Sequence, residues 1–324
     1  MRVLVAGSTG ALGIPTVRAL LDAGHDVVGL TRSAAKGRTL REMGAAPVLG
    51  DVFDAGAMKA IMHEVSPQGV VQLLNALPKR GPLRPRDIDS TNRLRIEGTK
   101  NLIEAAKTAG VRRYLVESMI FGYGYGHVGD SKVTEEESFG RPVSFAPAQP
   151  AIDGLNSLED QVRGATEAGE LEGIVLRYGL FYGPQVGSTQ FMVSLLRKGV
   201  FILPGGGHAV GSSIHVEDGA SAAVAALERA PAGEVYNVVD DRPASLREFA
   251  FCLSETLSLR APKSVPMWAI RLMGSYASLM AKSTLRVSNA KIKTELGWEP
   301  RYPTYREGVR SLLDHDATSA KLRE

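Results

Sequence analysis

The apolar run Val3 to Ala6 leads directly into GSTGALG, Gly7 to Gly13, so the chain opens on a strand aimed at a tight glycine-rich turn. Glycines at this spacing let the backbone reverse sharply, let an anion approach the main chain, and let the next helix pack on the strand. The N–H groups at the start of that helix then face the anion. Leu12, Val17, Leu20 and Leu21 have helical apolar spacing, and a second strand, Asp26 to Leu30, follows at βαβ distance. Such a unit constrains the chain to a parallel sheet covered by helices. It also predicts a dinucleotide cofactor held by Gly7, Thr9, Gly10, Ala11, Leu12 and Gly13.

The same alternation continues. Arg2 to Ala6, Asp26 to Leu30, Pro47 to Leu49, Val70 to Leu74, Tyr114 to Val116 and Ile174 to Leu176 read as strands. Helices fall between them, including Asp54 to Val65 with Asp54 as N-cap and a long one from Asp87 to Ala109 stopped by Gly110. This is the pattern of an α/β fold, a Rossmann-type doubly wound parallel sheet. From Gly183 onward it loosens into Gly/Pro-rich turns such as LPGGGH, Leu203 to His208, and short helices such as the one begun by the capping box Ser245 to Glu248. Residues 1–183 are therefore expected to form the nucleotide domain and 184–324 a smaller C-terminal substrate lobe, with more than one crossing between them.

Length and charge narrow the function. A chain of 324 residues with 44% hydrophobic content can bury one large core. A net charge of +3, from 38 basic and 35 acidic side chains scattered along the sequence, is no nucleic-acid footprint. Cys252 is the single cysteine, which excludes an intramolecular disulfide and a Cys-based zinc site, and suits a reducing cytoplasm. The first apolar run is too short for a signal peptide or a membrane span. No metal site is expected.

The end of the second strand speaks to which nicotinamide. An acidic residue there would hydrogen-bond the adenosine ribose and favour NAD. Thr31, Arg32 and Ser33 stand there instead, and a hydroxyl beside a guanidinium suits the 2′-phosphate of NADP, with Lys36 and Arg38 nearby. After the third strand Asp51 and Val52 are placed near the adenine. After the fourth, Asn75, Ala76 and Leu77 lie along the cofactor path.

The chain resembles the extended, atypical short-chain dehydrogenase/reductase superfamily, the NAD-dependent epimerases and dehydratases. Besides the glycine turn, the resemblance is carried by IEGTKNLIEAAKTAGVRRYLVES (Ile96 to Ser118), LRYGLFYGP (Leu176 to Pro184), IHVEDGA (Ile214 to Ala220), VYNV (Val235 to Val238) and LGWEPRY (Leu296 to Tyr302). It implies cofactor contacts at Tyr178, Gly179 and Leu180.

Catalysis in that family rests on a Ser or Thr, a Tyr, and a Lys four residues after the Tyr. The lysine lowers the phenol's pKa, and the phenol exchanges a proton with the substrate oxygen. Here no YxxxK occurs between Ser118 and Gly173. Counting back from Glu159 puts Ala151 at the tyrosine position and Leu155 at the lysine position, while Met119 takes the usual serine place. The missing relay is a contribution of about 10²- to 10⁴-fold. Ser118 and Tyr123, the latter matching the family's Tyr-Gly after the fifth strand, are the replacement proton-handling pair expected from sequence. Tyr125, His127 and the acidic run Glu135 to Glu137 are further acids or bases in reach.

In sugar-nucleotide members an arginine before the His-Val-Asp/Glu-Asp stretch grips the diphosphate. Gly211 and Ser212 stand near that place, which argues for a small, rather apolar, non-nucleotide substrate. His208 and His215 read as structural. Trp268, Leu272 and Tyr276 fall at four-residue steps in Pro266 to Met280, giving one apolar helix face that packs in the small lobe or covers such a ligand. An NADP(H)-dependent oxidoreductase is the leading expectation. The alternatives are a catalytically silent NADP-sensing regulator or assembly factor, and a non-redox isomerase or cyclase. Family members pair through helices near 87–109 and 155–169; Arg93, Arg95, Lys100, Glu159, Asp160 and Arg163 make those faces polar for a homodimer.

Overall fold

A computed structural model describes residues 1–129, 131–271 and 274–321. The chain runs β1 (Arg2–Ala6), α1 (Gly13–Asp22), β2 (Asp26–Thr31), α2 (Ala34–Glu42), β3 (Ala46–Leu49), α3 (Ala55–Val65) and β4 (Gly69–Gln72). Next come α4 (Asp89–Arg93), a wide π-type segment (Leu94–Gly98), α5 (Thr99–Thr108), β5 (Arg113–Met119), α6 (Gln149–Glu167), β6 (Glu172–Tyr178) and β7 (Leu180–Tyr182). They are followed by α7 (Gly187–Lys198), β8 (Ile202–Pro204), β9 (Val210–Gly211), β10 (Ser213–His215), α8 (Val216–Arg229), β11 (Val235–Val238) and β12 (Ala244–Ser245). The last elements are α9 (Leu246–Thr256), β13 (Lys263–Val265), α10 (Met267–Arg271), α11 (Ser275–Met280), α12 (Ala290–Leu296) and α13 (Tyr305–Lys321).

The main sheet has seven strands in the order β11-β6-β5-β4-β1-β2-β3, all parallel. Helices cover both faces, so its strands are apolar without alternation. Val3, Val5, Leu115 and Leu176 pack on Leu12, Val17 and Leu20 of the α1 side and on Ala222 and Ala226 of α8. On the other face Leu4, Val70, Tyr114 and Val116 meet Met58 of α3, Leu102 of α5, and Leu158 and Val162 of α6. The order reverses between β1 and β4, and at such a reversal a crevice opens beyond the carboxyl ends of the strands.

The chain crosses back after residue 183: α8 and β11 return to the large sheet, where β11 pairs with β6, and Tyr236 and Val238 are fully buried. The return covers an edge of β6 that would otherwise leave backbone groups unpaired. The helix expected over 266–280 is broken into α10 and α11. Gly274, at φ 149°, presses against the Leu83 carbonyl, which a Cβ would approach to 2.4 Å. Trp268 is therefore 67% exposed and Tyr276 buried, so the two do not share a face; Leu272 and Met273 lie outside the described residues.

Candidate functional site

The crevice begins at the glycine turn, where each glycine has its own reason. Gly7, at φ +89°, brings the end of β1 against β4: a Cβ there would stand 2.2 Å from the Leu73 carbonyl oxygen. A Cβ on Gly13 would meet the Gly7 carbonyl at 2.0 Å, so the start of α1 is wedged into the turn. A Cβ on Gly10 would meet only that same carbonyl, at 3.2 Å, leaving this side of the turn clear. No acidic residue stands in the first turn of α1, and its N-cap, Leu12, has no side-chain cap. Among the described residues the N–H groups of Ala11, Leu12 and Gly13 have no protein acceptor. Unclaimed donors at a helix N-terminus fit a pyrophosphate.

At the end of β2, Thr31 is buried and Arg32 exposed, and the Ser33 hydroxyl accepts from the Lys36 N–H at 3.4 Å as the N-cap of α2. Arg32 forms no ion pair among the described residues. Asp51 accepts from the Phe53 N–H (3.1 Å), and the buried Val52 gives its carbonyl to Asn101 (2.9 Å). Asn75 and Ala76 are exposed beyond β4. The Leu77 N–H donates to Asn75 Oδ1 (2.8 Å), and the Ala76 N–H donates to Thr91 Oγ1 (3.2 Å). Together with the glycine turn, these residues lie at or just after the carboxyl ends of β1, β2, β3 and β4. Tyr178 does not join them through its side chain. It is fully buried with its hydroxyl on the Gly219 carbonyl (3.1 Å), and Gly179 is packed against Ser212, so only Leu180 is exposed.

The two expected proton-handling residues are inside the protein. Sheet register aligns Ser118, Arg177 and Asn237 in one row across β5, β6 and β11. Glu159 of α6 meets that row. The Ser118 hydroxyl donates to Glu159 Oε1 (2.6 Å), Arg177 Nη2 pairs with Oε2 (2.7 Å), and Arg177 Nη1 donates to the Tyr123 hydroxyl (2.8 Å). That hydroxyl in turn donates to Asn237 Oδ1 (2.9 Å), and Phe139 lies 3.8 Å beneath the guanidinium. Burial raises the Tyr123 pKa despite Arg177. Ser118 is 0% and Tyr123 5% exposed, with both hydroxyls committed to a network that braces three strands. Glu159, Arg177 and Asn237 were missed from sequence because a row across strands has no signature along one strand.

Ala151 and Leu155 are buried on the first turns of α6. A second set of polar groups gathers near Ala151. The Asn75 amide bonds the Glu117 carboxyl, which burial pushes up to about 7 against the opposing pull of Arg95. The Tyr125 and Tyr276 hydroxyls touch at 2.5 Å. Arg95 and Glu159 are both buried, so two of the six residues expected to make the pairing helices polar face inward.

The remaining candidates are dispersed. His127 is exposed and bridges to Thr284 along the backbone. Glu135 accepts the Asn237 N–H at 2.7 Å, while Glu136 and Glu137 are exposed. His208 is exposed. His215 is a satisfied core residue, as expected: it is fully buried, bonded to Ser311 (3.0 Å) and to the Glu217 N–H (3.3 Å), and burial lowers its pKa to about 4. Among the described residues no cluster of three His, Cys, Asp or Glu is placed to hold a metal, and no helix is long and apolar enough to cross a membrane.

A family model described as the NAD-dependent epimerase/dehydratase family matches residues 3–239. The chain belongs to this family. Within the NAD-dependent epimerase/dehydratase family, it is 33% identical over 312 residues to a 3-diazoavenalumate denitrifying reductase from a Streptomyces species, covering 95% of this chain and 99% of that protein. It is 28% identical over 280 residues to 4-hydroxy-2-methyl-3-oxo-4-farnesyl-3,4-dihydroquinoline-1-oxide ketoreductase of Stigmatella aurantiaca, covering 84% and 78%. The solved UDP-glucose 4-epimerase of Thermotoga maritima, with UDP-glucose, superposes with a TM-score of 0.82 at 23% identity, covering 99% of this chain and 100% of that one. That last likeness is one of fold.

Proposed function

We propose that this chain is an NADP(H)-dependent oxidoreductase that passes hydride to or from a small, rather apolar, non-sugar-nucleotide substrate without a Tyr/Lys proton relay. The observation that carries the reading is the anion-ready turn at Gly7 to Gly13, in a chain whose α6 carries Ala151 and Leu155 where the family has its Tyr and Lys. The unclaimed N–H groups of Ala11, Leu12 and Gly13 would hold the pyrophosphate, and Arg32 the 2′-phosphate. Asp51 and Val52 would flank the adenine, and Asn75 to Leu77 would run toward the nicotinamide. A nicotinamide bound there supplies or accepts a hydride.

What the chain's own residues leave out restricts the substrate. Reducing a carbonyl makes an alkoxide that needs a proton from a positioned acid. The Ser118 and Tyr123 hydroxyls are spent on Glu159, Arg177 and Asn237. A carbon that takes hydride while a neutral group departs with the bond electrons needs no such proton, and the relative named a denitrifying reductase supports a substrate of that class. Gly211 and Ser212, with Ser212 buried and bonded to the Val287 N–H, offer no charge to a sugar-nucleotide diphosphate.

The test is NADPH and NADH consumption by the purified protein with arenediazonium salts, ketones and enones, against the protein-free rate. The expected result is NADPH oxidation with dinitrogen release on the diazonium salts and little on simple ketones. Tight NADPH binding with no oxidation across the panel would favour a nucleotide-sensing protein. A product of unchanged mass would favour an isomerase or cyclase.

A further inference from the structure

Near Ala151 stands a buried cation with no carboxylate within ion-pair distance among the described residues. Arg95, in the π-type segment between α4 and α5, is 8% exposed. Its side chain makes one hydrogen bond among the described residues, from Nη1 to the neutral Asn92 Oδ1 at 3.3 Å. Glu117 is the carboxyl that acts on it through charge, and burial raises the pKa of that group to about 7 against the pull of Arg95. A desolvated guanidinium in this condition is a strong site for an anion.

The surroundings state the shape of that anion. The hydroxyls of Tyr125 and Tyr276 both lie in the field of Arg95. Phe121 stacks on Tyr125 with ring centroids 5.4 Å and planes 8° apart, and Tyr276 meets Tyr125 edge-on at 5.8 Å. Tyr276 packs with Ile88, Leu77 and Ala151. These aromatic walls are apolar, and the Tyr125 and Tyr276 hydroxyls, bonded to each other, keep one proton between them to donate. Lys79, Arg80, Arg84 and Arg86 are exposed on the loop between Leu77 and α4, and among the described residues only Arg80 comes within ion-pair distance of a carboxylate, Asp87 at 3.9 Å. Such a loop raises the local concentration of an anion.

We propose that Arg95, with the hydroxyls of Tyr125 and Tyr276, binds the carboxylate of a planar aromatic or conjugated acid, and that such acids are the substrate class of the crevice beside Ala151. The flat guanidinium fork matches a carboxylate with two parallel donors, and the ring or conjugated chain lies along the aromatic walls. The word substrate rests on the oxidoreductase reading; the binding does not.

The experiment is calorimetric titration of the full chain, with and without NADP, using benzoate and trans-cinnamate against their methyl esters. The acids should bind at least ~10-fold tighter than the esters, and Arg95→Met should bring the pairs within about twofold of each other. Equal binding of acid and ester, no binding of either, or a preference that survives Arg95→Met overturns the proposal. The acid-to-ester ratio on the unaltered chain decides even where the variant fails to fold. NADPH titrated into the same samples separates the two readings. An acid preference without NADPH binding sinks the oxidoreductase and keeps the anion site, whereas NADPH binding without an acid preference sinks the anion site alone.

Discussion

Ser118 and Glu159 are joined by a 2.6 Å hydrogen bond, and the carboxylate that accepts it is the one Arg177 grips from the neighbouring strand. A hydroxyl one residue before the family's serine position, expected from sequence to handle a proton, is thereby held in the core. Its work is to satisfy a buried ion pair, which is costly to leave half-made.

Breaking that pair should cost stability first. Glu159→Gln leaves the Arg177 guanidinium buried without its countercharge, and a loss of about 3–5 kcal/mol is expected in denaturant titrations. Tyr123→Phe removes one bond each to Arg177 and Asn237 and should cost about 1–3 kcal/mol. Turnover per folded molecule should stay within about twofold of the parent in Tyr123→Phe, because a bracing residue leaves the chemistry in place. A large fall in turnover with stability unchanged would return Tyr123 to the reaction.

The three glycines of the turn should separate folding from binding. Gly13→Ala forces a Cβ to within 2.0 Å of a backbone oxygen and should unfold or badly destabilise the chain. Gly10→Ala sets a Cβ 3.2 Å from the Gly7 carbonyl, a tight contact but far milder than that of Gly13→Ala, so the thermal midpoint should fall much less than in Gly13→Ala while nucleotide affinity falls by about tenfold or more. Fluorescence titration with NADPH and a melting curve on each variant check this. Equal nucleotide binding by Gly10→Ala would mean that the pyrophosphate lies elsewhere.

Arg32 is exposed and has no carboxylate partner among the described residues, so its removal should be felt by the ligand and not by the fold. Arg32→Ala should weaken NADPH about tenfold and leave NADH unchanged, closing the gap between them. A parallel loss for both nucleotides would assign Arg32 to something other than the 2′-phosphate.

Asp240 is fully buried, accepts from the Ser213 hydroxyl (3.1 Å) and from the Arg242 backbone, and leaves Oδ1 without a partner among the described residues. Burial pushes its carboxyl from the ordinary 3.8 up to about 8. A group that holds its proton more tightly when folded stabilises the chain fully below pH 3.8, and that contribution is lost as pH rises toward 8. His215, lowered from 6.5 to about 4, runs the other way and costs stability as pH falls through that window. Above pH 6.5 the histidine term is spent, so the Asp240 contribution stands clear of it. Between pH 6.5 and 8 Asp240→Asn should remove about 1.5 kcal/mol of the decline in unfolding free energy. An identical slope in parent and variant would show that Asp240 is charged throughout.

Much of the fold was legible in short stretches of chain. The apolar runs at Arg2 to Ala6, Asp26 to Leu30 and Ile174 to Leu176 mark strands, the last two lengthened by sheet pairing. Asp54 and Ser245 cap helices where their side chains said they would. The break at Gly274 was not legible, because its cause is the Leu83 backbone, distant in sequence. The nucleotide edge followed the same division. Gly7 to Gly13, Arg32 and Asn75 are local signals at strand ends, whereas Tyr178 carries a family motif and spends its hydroxyl on α8.

By itself the sequence determined the doubly wound sheet, the glycine turn with its unclaimed helix donors, and the absence of a Tyr/Lys pair on α6. These follow from periodicity, backbone sterics and residue identity within a few turns of chain. Only the tertiary structure decided that Ser118 and Tyr123 are braces, that Arg95 is a buried cation with one neutral bond, and that α8 and β11 complete the large lobe. Burial and charge pairing depend on what arrives from elsewhere in the chain. Glu159 reaches Ser118 across 41 residues and Tyr276 reaches Tyr125 across 151, and no local pattern encodes either meeting.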